Sequence, residues 1–363
     1  MYNVAIIGAA GFTGAEAVRL LLSHPEFALL AASSDSEAGK PLAQVYPAFY
    51  GRTELAYVRH EAVLSEHASG LDLVLLAIPH TQALQLVPQL LSAGVSVIDL
   101  SADFRLNDAA VYENWYGVAH TAPDLLASAV YGLPEVYRRE LAACAQRRAE
   151  SGEAALVANP GCYPTASVLA ALPVVSTGLM DADEVVVVNA ISGVSGAGKK
   201  PTETTQFCLA NENLNAYGVT THRHTPEIAQ TLSHLAGHVV SLQFTPHLAP
   251  LNRGMVATVA MRLSKAAAAE TNAETIQQLY EEAFAGEPFV QVLPQGSMPR
   301  SSSVKFSNSA HIGVACDVST RMVVASCAID NLGKGAASQA IQCANILFSL
   351  DEKTGLAHEG GLL

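Results

Sequence analysis

Apolar runs and their breaks divide the chain into two textures. Residues 4–7 are four apolar residues closed by Gly8, the pattern of a short buried strand. Residues 14–23 predict a helix, stopped by Pro25. Residues 27–32 predict a second strand and residues 71–78 a continuous buried one. A helix over 81–93 follows, then strands over 95–100 and 154–158. Such alternation implies right-handed crossovers and a parallel sheet covered on both faces.

Beyond Cys162 the pattern changes. Long strand candidates cover 184–191, 239–245, 255–263, 312–318 and 322–329. Few helices separate them, over 226–236 and 273–285, with a short helical run at 266–269. A last helix, 335–350, has one apolar face and is expected to pack back on the first domain. The predicted fold class is α/β: a Rossmann-type parallel-sheet domain plus an α+β domain with a largely antiparallel sheet. The expected domains are 1–161 with 331–363 for dinucleotide binding, and 162–330 for catalysis and oligomerisation.

Composition narrows the class. Half of the 363 residues are hydrophobic and 15% are charged, so the chain is globular. A net charge of -13 suits nucleic acid poorly, because phosphate binding needs clustered Lys and Arg. The N-terminus enters a strand directly, with no basic region, and no run approaches about 20 apolar residues. Six scattered cysteines without a C-x-x-C pair argue against a disulfide framework. A reducing cytoplasm is the expected compartment.

The loop after the first strand reads Gly8-Ala9-Ala10-Gly11-Phe12-Thr13-Gly14. In a dinucleotide loop the first glycine permits the tight turn, the second lets backbone approach a pyrophosphate, and the third lets helix and strand pack closely. The spacing is G-x-x-G-x-x-G rather than G-x-G-x-x-G. The second strand lacks a terminal acid for a ribose hydroxyl and ends in Ser33 and Ser34, with Lys40 beyond. Small hydroxyls near a cation suit a 2′-phosphate, so NADP is the expected cofactor, although Asp35 counts against it.

A second constellation is Asn159-Pro160-Gly161-Cys162-Tyr163-Pro164-Thr165. It places a thiol after a strand and a Pro-Gly turn, at the start of a helix-like run. Unpaired N–H groups and the helix dipole there favour thiolate. The other five cysteines lie in apolar or helical runs and read as inert packing residues. Gly193-Val194-Ser195-Gly196-Ala197-Gly198-Lys199 nearly spells a P-loop, but Lys200 stands where Ser or Thr must hold magnesium. That loop is expected to bring backbone close to a ligand, over the nicotinamide and the thiol. His222 and His224 face the same way if the backbone is extended, with Thr225 as N-cap and Pro226 opening a helix. One of them, with a lean to His222, supplies a general acid, and Glu227 could orient the ring. A metal reading of the two histidines lacks further ligands. Arg105 follows a strand end and could grip a phosphate, or pair with Asp103 or Asp108. Arg253 and Lys200 are further candidates for a substrate carboxylate or phosphate.

These stretches, with Ile98-Asp99-Leu100-Ser101-Ala102-Asp103-Phe104-Arg105, Tyr131-Gly132-Leu133-Pro134-Glu135 and His222-Arg223-His224-Thr225-Pro226-Glu227, give the chain a resemblance. It resembles the N-acetyl-γ-glutamyl-phosphate reductase family nearly end to end. The resemblance implies NADPH-dependent reduction of an acyl phosphate to a semialdehyde and phosphate in arginine biosynthesis, reversibly, through a thioester on Cys162. It implies that Asn331, with Gly193, Ser195 and Gly196, lies at the nicotinamide, that Asn159 belongs to the substrate site, and that the enzyme is a homodimer or homotetramer. Aspartate-semialdehyde dehydrogenase shares the architecture and chemistry. A cofactor-binding redox sensor without turnover would keep the glycine loop but leave the His-Arg-His motif unexplained.

Overall fold

The computed structural model describes residues 1–361. Two units divide it: Met1–Pro160 with Ala336–Leu356, and Gly161–Gly335 with the segment from Ala357 onward. Residues 331–335 and 357–361 therefore group with the second unit, whereas the sequence assigned them to the first. Residues 362 and 363 of the expected 331–363 segment lie outside the described residues.

In the first unit, β1 (Tyr2–Ile7), β2 (Phe27–Ser33), β3 (Leu73–Leu76), β4 (Ser96–Asp99), β5 (Val130–Tyr131) and β6 (Leu156–Ala158) form one sheet. Its order is β2-β1-β3-β4-β6-β5 and every pair is parallel. Val4, Ile6, Leu73, Leu75, Val97 and Ile98 are fully buried, which explains why β1 and β3 read as near-continuous apolar runs. The order reverses direction at β1 and β3, the position where α/β sheets open a ligand crevice at the carboxyl ends of their strands.

Two helices of this unit differ from expectation. Pro134–Ser151 is an 18-residue helix that the periodicity did not announce, because only Leu141, Cys144 and Ala145 on it join Pro134 in burial. The last helix, Ser338–Leu347, is buried on nearly every side rather than on one face. Two of its polar residues are paired inside: Asn345 Nδ2 donates to the Thr354 carbonyl at 2.8 Å, and Gln342 Nε2 to Glu352 Oε2 at 3.1 Å.

In the second unit, β7 (Val186–Gly193), β8 (Asn215–Ala216), β9 (Leu242–Ala249), β10 (Met255–Arg262), β11 (Val290–Val292), β12 (Ala310–Asp317) and β13 (Met322–Ile329) form a mixed sheet. Its order is β11-β12-β13-β10-β7-β9-β8, with parallel pairs only at β11/β12 and β7/β9. β10 alternates strictly, burying Met255, Ala257, Val259 and Met261. The buried face packs under the helices Cys162–Ser176, Thr225–Ala236 and Ala273–Ala283. Tyr280 pins the first of these by donating to the Ala170 carbonyl at 2.6 Å.

Candidate active site

Cys162 is the first residue of its helix, with Gly161 in extended conformation before it (φ -70°, ψ 158°). First-turn N–H groups have no intrahelical acceptor, so the thiol stands at the positive end of the helix dipole. Pro164 sits in the same turn, where its missing N–H costs nothing. The thiol is half-buried, whereas Cys144, Cys327 and Cys343 are buried packing residues. Cys208 departs from the expected packing role: it is exposed, on the short helix Phe207–Ala210, and Cys316 is half-buried.

The structure separates the two histidines. Residues 222–225 form a turn closed by the Thr225 N–H on the His222 carbonyl at 2.9 Å, not an extended segment, and the rings stand 4.9 Å apart. His224 lies directly on the backbone before the cysteine: a Cβ on Gly161 would stand 2.4 Å from His224 Nε2. Glycine is required there by close approach alone. His222 is enclosed by Tyr163, Tyr217 and Phe244, with centroids at 5.5, 5.4 and 5.3 Å. Its Nδ1 accepts the His224 N–H at 3.1 Å. Burial, and then the neighbouring Arg223 charge, lower its pKa to about 4, so His222 is neutral near pH 7.

Thr225 is not the N-cap. It is the first helical residue, His224 occupies the cap position, and the Thr225 hydroxyl is buried without a hydrogen-bond partner. Pro226 opens the helix as expected. Glu227 is 1% exposed, and its Oε1 accepts the Gly161 N–H at 2.9 Å. That bond ties the residue preceding the thiol to the helix following the histidines.

Tyr163 and Tyr217 line the same region and escaped sequence reading, because a tyrosine beside a motif carries no spacing signal. Tyr217 donates to the Tyr163 hydroxyl at 3.1 Å, and Tyr163 to the His247 carbonyl at 3.0 Å. Burial raises both phenol pKa values, that of Tyr217 to about 12, and a thiolate at Cys162 adds to the effect.

The glycine-rich stretch Gly193–Lys199 is packed against protein at its first glycine. A Cβ on Gly193 would meet the Leu251 carbonyl at 2.7 Å, so the close approach is to the chain's own backbone. Ser195 and Asn331 are joined, Asn331 Nδ2 donating to Ser195 Oγ at 2.9 Å, while Asn331 Oδ1 accepts the Gly254 N–H at 2.7 Å. Gly196 and Lys200 are exposed. Arg253 pairs with Asp330 (Nη2 to Oδ2, 2.8 Å).

In the first unit, Gly8 has φ +92°, and a Cβ on it would meet the Ala77 carbonyl at 2.2 Å. A Cβ on Gly14 would meet the Gly8 carbonyl at 2.3 Å. A Cβ on Gly11 meets nothing closer than 3.5 Å, so no protein contact demands glycine there. The turn and the packing account for Gly8 and Gly14; Gly11 is the N-cap of the helix Phe12–Leu21 and leaves the loop surface open to a ligand. The cradle therefore fits a dinucleotide pyrophosphate. Phe12 and Thr13 are partly exposed at the helix start.

Ser33 and Ser34 are buried at the end of β2. Ser33 Oγ lies 2.8 Å from His60 Nδ1, and Lys40 pairs with Glu37 at 2.8 Å. Arg105 donates through Nε to the Asn159 carbonyl at 2.7 Å and through an Nη to the Leu100 carbonyl at 2.9 Å. Asp103 instead accepts the Thr81 N–H and the Tyr112 hydroxyl, and Asp108 caps the helix Ala109–Tyr116. Asn159 is fully buried, and its Oδ1 has no hydrogen-bond partner. Among the described residues, no group of three or more His, Cys, Asp or Glu stands in metal-binding arrangement.

Two family models cover most of the chain: the semialdehyde dehydrogenase NAD binding domain matches residues 3–144, and the dimerisation domain residues 162–331. N-acetyl-gamma-glutamyl-phosphate reductases of Symbiobacterium thermophilum and Pelotomaculum thermopropionicum are 48% and 46% identical. Each alignment spans 99% of this chain and 98% of the relative. The chain belongs to the N-acetyl-γ-glutamyl-phosphate reductase family. As a member of that family it is an oxidoreductase with a nicotinamide-dinucleotide domain. Solved structures of similar fold include aspartate semialdehyde dehydrogenase II from Vibrio cholerae (TM-score 0.71, 18% identity, 96% of this chain and 99% of that one). The enzyme from Candida albicans with NADP is another (TM-score 0.70, 15% identity, 96% and 98%). At those identities the likeness is one of fold, and the reductase family shares it. Among the described residues no helix is long and apolar enough to cross a membrane.

Proposed function

We propose that this chain reduces N-acetyl-γ-glutamyl phosphate to N-acetylglutamate semialdehyde and phosphate, reversibly, through a thioester on Cys162. The observation that carries the reading is the thiol at its helix start with the His224 ring against Gly161, in a chain whose relatives of that name align over almost their full length.

The Cys162 sulfur attacks the acyl carbon. A C–S bond forms, the C–O bond to phosphate breaks, and phosphate leaves. The Gly8–Gly14 loop would hold NADPH, which would supply the hydride. His224 gives a proton to the oxygen that becomes the aldehyde's as the thioester is reduced, and takes it back when the C–S bond breaks and thiolate is released. His222 acts behind it, neutral, accepting the His224 N–H and so fixing the turn. Glu227 positions Gly161. Arg105, Asn159 and Lys200 serve the acyl phosphate, Arg105 as a cation at the end of β4. Ser33, Ser34 and Lys40 serve the 2′-phosphate, with Lys40 exchanging Glu37 for it. Asn331, Ser195 and Gly196 serve the nicotinamide. The working form is a cytoplasmic homodimer or homotetramer.

Incubating the protein with NADP, N-acetylglutamate semialdehyde and phosphate tests this. NADPH should appear only when phosphate is present, and Cys162→Ala should stop it while NADP still binds. Turnover with aspartate semialdehyde instead, or cofactor binding with no turnover, would refute the reading.

A further inference from the structure

Arg253, just ahead of β10, and Asp330, just after β13, meet as a fork-to-fork ion pair. Nε donates to Oδ1 at 3.0 Å and Nη2 lies 2.8 Å from Oδ2. Asp330 is fully buried, Arg253 is 9% exposed, and the guanidinium carbon lies 4.2 Å from the centre of the Phe306 ring. The same carboxylate accepts the N–H groups of Phe306, Leu332 and Gly333 at 2.5, 3.0 and 3.3 Å. Its backbone carbonyl accepts those of Gly333 and Gly335 at 3.1 and 2.9 Å. Asp330 therefore organises a tight turn over 330–335.

The end of that turn rests on the thiol-bearing residue. A Cβ on Gly335 would lie 2.6 Å from Cys162 Cβ and 3.1 Å from its Cα. The turn is thus a wall against Cys162, and its height is set by a buried charge pair whose loss would leave a carboxylate without its counter-charge.

We propose that Arg253 is a positioning residue for Cys162, acting through Asp330 and the 330–335 turn. This rests on Cys162 being the nucleophile. A cysteine displaced by about 1 Å loses on the order of 10²-fold in rate without any change in what binds the substrate. Lysine at 253 keeps the charge but not the two-pronged geometry, so it restores only part of the effect.

The test uses the full-length protein. Cys162 alkylation by iodoacetamide is followed across pH by peptide mapping, beside steady-state kinetics with phosphate and semialdehyde. Asp330→Asn and Arg253→Met should both slow alkylation or move its pH midpoint. Both should lower kcat by on the order of 10²-fold with KM kept. Arg253→Lys should fall between, and the double variant should be no worse than the worse single. Gly335→Ala, which leaves the ion pair intact, should disturb alkylation as well; it decides the matter if the ion-pair variants do not fold.

A raised phosphate or substrate KM in Arg253→Met, with alkylation and Asp330→Asn unchanged, would make Arg253 a substrate ligand and overturn the proposal. Wild-type alkylation in Gly335→Ala would overturn it too. If wild-type enzyme acylates at Cys162 while the variants behave normally, only the positioning role falls. If it never acylates there, the nucleophile reading falls and takes this inference with it.

Discussion

The Glu227 carboxylate accepts the N–H of Gly161 at 2.9 Å, joining the start of one helix to the residue that launches another. Gly161 immediately precedes Cys162, and Glu227 stands three residues beyond His224. One buried hydrogen bond thus fixes thiol and imidazole to a common frame. Glu227→Ala removes a charged acceptor from a buried donor, at about 1.5–3 kcal/mol of stability. Glu227→Gln keeps an acceptor of the same shape and should lose less than half as much. Denaturant unfolding of the two variants checks this, and equal losses would show that the Gly161 bond is not what the carboxylate supplies.

The histidines should separate in kinetics. His224→Asn should cost on the order of 10²–10⁴-fold in kcat, the range for a lost general acid. His222→Asn keeps an acceptor for the His224 N–H and should retain most of the activity. Rate measurements with both variants decide the assignment, and a larger loss at 222 would reverse it.

His222 also predicts a pH dependence of stability. Its folded pKa lies near 4 because the site is buried, below the ordinary histidine value of 6.5. Between those values the unfolded chain binds a proton that the folded chain refuses, so this contribution to stability is full above pH 6.5 and lost as pH falls towards 4. Asp99 acts over nearly the same window with the opposite sign. Burial first, and then the Asp103 carboxylate, raise its pKa from 3.8 to about 7. Here the folded chain holds the proton more tightly, so stability is full below about pH 4 and declines as pH rises to 7. Asp99→Asn should therefore gain stability over wild type as pH rises, by no more than about 4 kcal/mol. His222→Asn should lose less stability than wild type on acidification. Melting curves from pH 4 to 8 test both; parallel curves for wild type and variants would dismiss them.

The three loop glycines should respond differently to alanine. Gly8→Ala and Gly14→Ala drive a Cβ into backbone at 2.2 and 2.3 Å, so both should unfold or destabilise the first unit. Gly11→Ala meets nothing within 3.5 Å and should leave the melting temperature nearly intact. Its new methyl group would stand where a pyrophosphate approaches, weakening NADPH by roughly tenfold or more. Calorimetric titration of folded Gly11→Ala settles the point; unchanged NADPH affinity would move the cofactor away from this loop.

Much of this protein was legible before folding. Strands buried on both faces leave near-continuous apolar runs, so β1 and β3 announced themselves. The Gly8–Gly14 loop and the Pro-Gly turn before Cys162 were legible because backbone geometry restricts which residues can stand there. The helix Pro134–Ser151 was not, since a helix burying only a few residues has little periodicity to show. Sequence leaned to His222 rather than His224, because spacing carries nothing of burial, and it could not foresee that Arg253 meets Asp330 from 77 residues away. Those outcomes depend on burial and on contacts between distant segments. The sequence alone determined which residue types were available for the chemistry, because local backbone and nucleophile requirements are written in neighbouring positions. Only the tertiary structure decided which ring lies on Gly161 and which is sealed in an aromatic cage, because desolvation and close approach exist only once the chain has folded.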